Sequence, residues 1–449
     1  MNTPSEDYHA LLARHDAMRL RRRILTPAGS SAEPWSAEAP QAYDGSADQL
    51  LISDSLALVS PLEELVAELY RLLFERHPYL RSLFPESMAF QQVHLVGIFR
   101  YLISNLHRTE EMIGVFGQLG RDHRKLGVRP AHFEAFEAAL LEALRVRAGV
   151  RWTRALEHAW LRMLRLAVSA MVRGADEAIA EPPSWDATVT SHELRAPGLA
   201  VLRVRPHQPY AFEAGQYASL ESPLLEQAWR SYYLARAPHP DGELEFHVRA
   251  RGAGGVSDAL VHGTRVGGTV RLSAPRGALA LPERLPSADI LLVASGTGWA
   301  PMKALLQRID TDRSRTHRVR LLLGPTAPEE SAAAGELYDG AYLEAFRRGR
   351  PWLTVVAAEA ADARFAGAGL RALNGTTAPY RGAAAARQQA FLSLAPEAPE
   401  AAAAGYARDV RARLAAAGVP AAHIHYETDD IAAVTEASAS TARTGLLSA

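Results

Sequence analysis

A change of hydrophobic period along the chain limits its fold more than any other feature. From about 48 to 180, apolar residues recur three and four apart, the spacing that gives a helix one apolar face. Leu62, Leu65, Leu69 and Leu72 mark one helix, and Met112, Phe116, Leu119 and His123 a second. Phe136, Leu140 and Leu144 mark a third, and Trp160, Leu164, Ala167 and Met171 the last. Pro182-Pro183 then punctuates the chain, and the period drops to two. The runs 199–204 and Leu244-Phe246-Val248 read as half-buried strands, set apart by turns at Ala196-Pro197-Gly198 and Pro240-Asp241-Gly242. After about 285 the style changes again. Ile290-Leu291-Leu292-Val293 is continuously apolar, as a strand buried on both faces requires, and 319–323 and 353–357 repeat it. One domain cannot satisfy three periods. The expectation is a multidomain chain: an all-α domain, a small antiparallel β-barrel and an α/β domain.

The expected boundaries are a flexible arm over 1–47 with one helix around 8–25, the helical domain over 48–181, the barrel over 184–284, the α/β domain over 285–430 and a flexible tail over 431–449. The Ala-rich stretch 381–405 reads as helical or loop-like. Lys+Arg 49 against Asp+Glu 50 leaves a net charge of −1, a poor basis for holding nucleic acid through its phosphates. The absence of cysteine excludes disulfides, thiolate metal ligands and cysteine nucleophiles. No run approaches the roughly 18 apolar residues of a membrane span. Arg19, Arg21, Arg22 and Arg23 stand where a signal peptide would be apolar, so a cytoplasmic protein is expected.

Three constellations carry chemistry. Ser295-Gly296-Thr297-Gly298-Trp299-Ala300-Pro301 follows the buried strand and opens a helix. Glycines there let main chain approach a pyrophosphate at a helix N-terminus. In the barrel, Gly215-Gln216-Tyr217 is followed by Arg230-Ser231-Tyr232-Tyr233 and then by Gly254-Gly255-Val256-Ser257. An arginine beside a tyrosine can pair with phosphate while the ring packs on a flat heterocycle. In the helical domain, His123 is the one imidazole on an otherwise apolar helical face, with Gly120 and Gly127 around it. Taken alone, each piece is an ordinary turn, surface arginine or core histidine.

In this order, the second and first constellations resemble the ferredoxin-reductase-like module, an FAD-binding barrel followed by a NAD(P)-binding α/β domain. Tyr70, Leu83-Phe84-Pro85, His123 and a final helix near Trp160–Glu177 resemble a globin. A globin ahead of that module is the architecture of flavohaemoglobins, a family known for nitric oxide dioxygenation, in which NO, O2 and NAD(P)H give nitrate. The resemblance covers about 48–430.

Carried over by position, it implies haem b, FAD and NAD(P)H as cofactors. His123 would be the proximal iron ligand, with Glu177 hydrogen-bonded to it. Phe133 stands where the family has a third proximal member, a tyrosine. Tyr70 would donate to bound O2, and Phe84 and Ile98 would line the distal pocket. Gln91 and His94 both compete for the next distal position. Gln216, Tyr217, Arg230, Ser231, Tyr232, Tyr233, Gly254, Val256 and Ser257 would hold FAD, and Gly296, Thr297, Gly298, Trp299, Ala300 and Pro301 the nicotinamide nucleotide. Tyr233 replaces the family's serine near the flavin, Ser393-Leu394-Ala395-Pro396 replaces its Cys-Gly-Pro stretch, and Asp429 replaces its flavin-covering aromatic. No arginine follows Leu323-Gly324, and Glu329-Glu330 lie just beyond, which favours NADH over NADPH. Tyr233 and Asp429 alter the face where nicotinamide must stack, which implies slow flavin reduction by either nucleotide. The implied enzyme is a nitric oxide dioxygenase acting on the gases O2 and NO, a monomer or weak dimer without nucleic-acid partners. The rivals are a gas-binding or sensor globin with a degenerate reductase, and a related oxidoreductase with another substrate.

Overall fold

The computed structural model describes residues 44–279, 281, 289–312, 318–323, 337–357, 388–394, 410–412, 414–416 and 418–426. The arm with its helix over 8–25, Gly324-Pro325-Thr326, Glu329-Glu330, Ala395-Pro396, Glu427, Asp429 and the tail lie outside the described residues. Two units pack separately: 44–83 with 88–183, and 84–87 with 184–426.

The first unit is helical: α1 (Ser46–Ser55), α2 (Leu62–Arg76), α3 (Ala89–Asn105), α4 (Thr109–His123), α5 (Pro130–Ala148) and α6 (Arg154–Glu177). Charges at the helix ends oppose the macrodipole: α2 starts with Glu63 and Glu64 and ends with Arg76, and α4 starts with Glu110 and Glu111. The last helix begins at Arg154, earlier than Trp160, because the Thr153 side-chain oxygen accepts from the Leu156 N–H at 3.3 Å and caps it there. Trp160 is fully buried, edge-on to Phe99. Helices α4 and α6 touch backbone to backbone. A Cβ on Gly120 would overlap the Met171 main chain, and one on Gly174 that of Gly117. His123 lies one turn beyond Gly120, so this crossing fixes where its ring stands.

The second unit holds two sheets. β1 (Trp185–Ala196), β2 (Leu199–Pro206), β3 (Tyr217–Glu221), β4 (Trp229–Tyr233), β5 (Leu244–Arg249) and β6 (Thr269–Leu272) pair antiparallel in the order β4-β3-β6-β1-β2-β5. A bridge between Leu234 and Phe246, and the Ala235 N–H on the Glu245 carbonyl at 2.7 Å, join the two edges into a barrel. Leu202, Val204, Leu220, Phe246 and Leu272 fill it. The expected half-burial of β2 and β5 is wrong: 199–202 and 244–248 are buried throughout. In β5 the reason is visible. Its outward residues, Glu245 and His247, are covered by Lys303 and Tyr338 of the following domain.

That domain is a parallel sheet of β7 (Ile290–Ser295), β8 (Val319–Leu323), β9 (Leu353–Ala357), β10 (Gln389–Leu394) and β11 (Ile424–Tyr426), ordered β11-β10-β7-β8-β9. Helix α7 (Trp299–Thr311) follows β7, and α8 (Gly340–Arg347) precedes β9. Ile290 and Leu292 pack on the α7 side, while Leu291 and Val293 pack on the opposite side with Val410 and Leu414. Both faces of β7 are thus covered, which its unbroken apolar run requires. The stretch 381–405 contains a strand, not only helix or loop: Phe391 and Leu392 pack on opposite faces beside β7.

Gly120→Ala is expected to destabilise the helical unit by about 1–3 kcal/mol, because backbones must move apart. Gly114→Ala, on the same helix with nothing within 4 Å of its added Cβ, is expected to be neutral or stabilising. Thermal unfolding followed by far-UV circular dichroism compares the two.

Candidate functional site

In the helical unit, His123 closes α4. Its Nδ1 lies 2.8 Å from the Leu119 carbonyl oxygen. A carbonyl only accepts, so Nδ1 carries the proton and Nε2 keeps its lone pair. Burial pushes the imidazole down to about 4, and the Lys125 and His94 charges act in the same direction. The ring is therefore a neutral donor suited to a metal.

Glu177 is not the partner that the resemblance implied. It lies 53% exposed at the end of α6 and accepts from Arg121 Nη2 at 2.7 Å, with Arg173 beyond. The Leu119 carbonyl is one turn away on His123's own helix, so the ring reaches it without crossing between helices.

Gln91, His94 and Ile98 lie three and four apart on α3 and so share one face. Ile98 is buried, His94 stacks on Phe90, and the Gln91 side-chain oxygen is buried with no hydrogen-bond partner. An orphaned buried acceptor is costly unless something fills the space beside it. Tyr70 is buried on α2 and stacked on Phe74, and burial holds its hydroxyl well above the usual phenol range. Phe133, half-buried in the first turn of α5, brings no hydroxyl. Phe84 falls in 84–87, which packs with the second unit. The donor set of His123, with the orphaned Gln91 oxygen, fits a haem.

On the barrel, Tyr217 and Tyr233 face each other across β3 and β4, ring to edge at 5.9 Å. Tyr233 also packs on the apolar core beneath α7, so it stands where barrel and α/β domain meet. Arg230 and Tyr232 alternate to the other face. Tyr232 packs on the barrel core, and burial pushes its phenol up to about 12. Arg230 donates to the Trp229 carbonyl at 2.8 Å, and Ser231 lies 3.3 Å from the Ser219 hydroxyl. Gln216 accepts from the Glu213 N–H. Gly254 has φ +77° and nothing within 4 Å of an added Cβ, and its N–H donates to Asp258 Oδ2 at 3.0 Å. Val256 after it is core, and Ser257 accepts from the Arg251 N–H.

In the α/β domain the strand order reverses at β7, with β8 on one side and β10 on the other. The crevice at such a switch point receives ligands, beyond the C-terminal strand ends. Gly296 turns there with φ +53°, followed by Thr297 and Gly298, and α7 opens its N-terminus into the same place. Ser393 and Leu394 lie beside Ala294 and Ser295 across the crevice. Trp299, Ala300 and Pro301 open α7 directly after the loop, and their side chains are buried. The Trp299 indole donates to Asp339 Oδ2 at 3.0 Å. Main chain and the half-buried Thr297 are left there to meet a phosphate.

Sequence reading missed a polar cluster beneath this loop. Lys303, Glu245, His247 and Asp339 are buried together, with the half-buried Tyr338 against His247. The signal was a lysine inside the apolar run Met302-Lys303-Ala304-Leu305. Among the described residues, no group of three or more metal-ligating side chains is present, and no helix is long and apolar enough to cross a membrane.

The globin family model matches residues 67–171, and the oxidoreductase FAD-binding domain model matches 186–281. The xylene/toluene monooxygenase electron transfer component XylA of Pseudomonas putida is 38% identical over 143 residues, covering 32% of this chain and 40% of its own. A flavohemoprotein of Bacillus subtilis (strain 168) is 23% identical over 263 residues, covering 55% of this chain and 65% of its own. The chain thus spans less than two thirds of the length of each of these curated relatives. The crystal structure of a flavohemoglobin from Malassezia yamatoensis with bound FAD and heme superposes with a TM-score of 0.62 at 15% identity, over 85% of this chain and 98% of that one. Haem, FAD and NAD(P)H are the cofactors that these folds take. The chain is a flavohaemoglobin-like fusion: a globin domain, an antiparallel FAD-type barrel and a parallel-sheet nucleotide-binding domain.

Proposed function

We propose that the protein is a nitric oxide dioxygenase, in which two NO and two O2 with one NAD(P)H give two nitrate, NAD(P)+ and a proton. The observation that carries this reading is His123: a buried, neutral imidazole whose Nε2 is free for iron, on the same chain as a two-domain reductase unit. When bound, haem supplies gas binding and one-electron chemistry, FAD splits a hydride into single electrons, and NAD(P)H supplies the hydride.

The chain's own groups do the rest. Leu119 orients the His123 ring through Nδ1. Tyr70, kept protonated by burial, offers an O–H to a polar diatomic ligand, and Gln91 and His94 add polarity from α3. Ile98 and Phe133 contribute apolar surface. The Gly254–Ser257 turn, with Arg230 and Tyr232, is assigned to FAD, and Gln216, Tyr217, Ser231 and Tyr233 to its surroundings. The Gly296–Gly298 turn is assigned to the nucleotide pyrophosphate. Preference for NADH rests on Glu329 and Glu330, and the work of such an enzyme is cytoplasmic.

One observation favours a gas-binding or sensor globin instead. With Glu177 on Arg121, His123 leans on a neutral carbonyl, which pushes less electron density to iron than a carboxylate does. Anaerobic mixing of the holoprotein with NADH separates the readings. Reduction of flavin and then haem supports the enzyme; a haem that stays ferric supports the sensor.

His123→Ala is expected to purify without the haem Soret band and with full flavin absorbance, since separate units hold the two groups. Equal loss of both would overturn the assignment. Tyr70→Phe is expected to speed O2 release from the reduced holoprotein about tenfold, the worth of one hydrogen bond of about 1–2 kcal/mol. An unchanged off-rate in stopped flow would remove Tyr70 from the ligand's side.

A further inference from the structure

The barrel and the nucleotide domain are joined by buried charge. Lys303, 4% exposed on α7, holds Glu245 Oε1 of β5 at 2.7 Å and Asp339 Oδ2, just before α8, at 2.8 Å. Its ammonium also lies 4.0 Å from the centre of the Tyr342 ring. Glu245 accepts from Arg203 Nε at 2.9 Å, and its Oε1 lies 3.1 Å from His247 Nε2. His247 Nδ1 lies 2.7 Å from the Tyr338 hydroxyl. A second tie runs parallel: Gln307 of α7 accepts from the Ala237 N–H at 2.9 Å and donates to the Tyr342 hydroxyl at 2.7 Å.

The charges balance. Arg203 and Lys303 offset Glu245 and Asp339. Burial works to raise the Glu245 carboxyl, yet the His247 ring and Lys303 hold it well below the usual range. Burial keeps the His247 imidazole down.

Two apolar faces glued together can slide, because dispersion contacts are not directional. An ion cluster with fixed hydrogen-bond directions tolerates one arrangement. This cluster grips α7 one turn behind the Gly296–Gly298 loop, and through the Trp299 indole on Asp339 it grips the first residue of that helix as well. Its other end is β5, in the sheet that carries Tyr217 and Tyr233.

We propose that Lys303 is a positioning residue for hydride transfer: clamped between Glu245 and Asp339, it sets how far the nucleotide loop stands from the flavin face of the barrel. This rests on the reductase reading above. Lys303 touches neither cofactor. It acts through α7, so its loss alters geometry at the reacting atoms while leaving each binding surface intact.

The test is anaerobic stopped flow on the haem- and FAD-loaded full chain, following flavin reduction by NADH and by NADH deuterated at C4. Wild type that neither NADH nor NADPH reduces would sink the reductase reading itself, and the proposal with it. With a reducible wild type, Lys303→Met is expected to slow reduction at saturating NADH by about tenfold to a hundredfold, the usual consequence of a misplacement of about 1 Å. FAD content and the dissociation constant for NADH should stay within about threefold, and the isotope effect should be fully expressed, the split that a purely structural role would not give. Lys303→Arg should recover part of the rate.

Lys303→Met leaves Asp339 buried without its cation and Glu245 with Arg203 alone, so the triple variant Glu245→Gln/Lys303→Met/Asp339→Asn, which buries no unpaired carboxylate, is the control for folding. It should fold and stay slow. A wild-type rate in either Lys303→Met or the triple variant would overturn the proposal, as would flavin loss in parallel with rate.

Discussion

The reductase unit is organised around one ammonium group that has been taken out of water. Lys303 projects from a helix whose other inward residues are apolar, and the fold accepts it because Glu245 and Asp339 meet it at hydrogen-bond distance. Unpaired, such a charge would be expensive to bury; paired with these two carboxylates, it dictates how barrel and α/β domain dock. Other features follow from the clamp. Strand β5 is buried on both faces because its polar side serves as the dock. Trp299 turns inward because Asp339 is there to accept its indole N–H. The nucleotide loop is then presented by glycine main chain and Thr297, which suits a pyrophosphate that needs N–H donors.

The helical unit obeys a different constraint, the close crossing of α4 and α6. Glycines at 117, 120 and 174 allow it, and His123 inherits its position from it. The same crossing brings Arg121 to Glu177. Both ends of that ion pair are exposed, so it contributes little to stability, on the order of 0–1 kcal/mol. Its chemical consequence is larger. The imidazole is left to a neutral carbonyl, the partner that keeps its proton on Nδ1 without strong electron donation. Two ions, one exposed and one buried, thus do opposite things: the first withdraws a carboxylate from a site, the second fixes a site's geometry.

Much of the architecture was legible from local pattern. The move from period 3.6 to period 2 to unbroken apolar runs reports how many faces of each element are covered, a property of neighbouring residues. The glycine turn after Ile290–Val293 was legible for the same reason, since strand, φ-permissive glycine and helix follow each other in the chain. His123 stood out as a polar residue on an apolar face. Three readings failed where the deciding partner was remote. Glu177 was assigned by position, and Arg121 claimed it. Leu244-Phe246-Val248 was read as half-buried, and Lys303 and Tyr338 covered the outward residues between them. Gln389–Leu394 was lost in an alanine-rich stretch because its strand character comes from pairing with β7 and β11.

The sequence by itself determined the element types, the order of the three domains and the residue kinds available to each site, because periodicity and turn chemistry act over a few bonds. Only the tertiary structure decided which polar groups pair. A buried charge takes its partner from whatever the fold brings within about 3 Å, and for Lys303 those partners are 58 and 36 residues away in the chain.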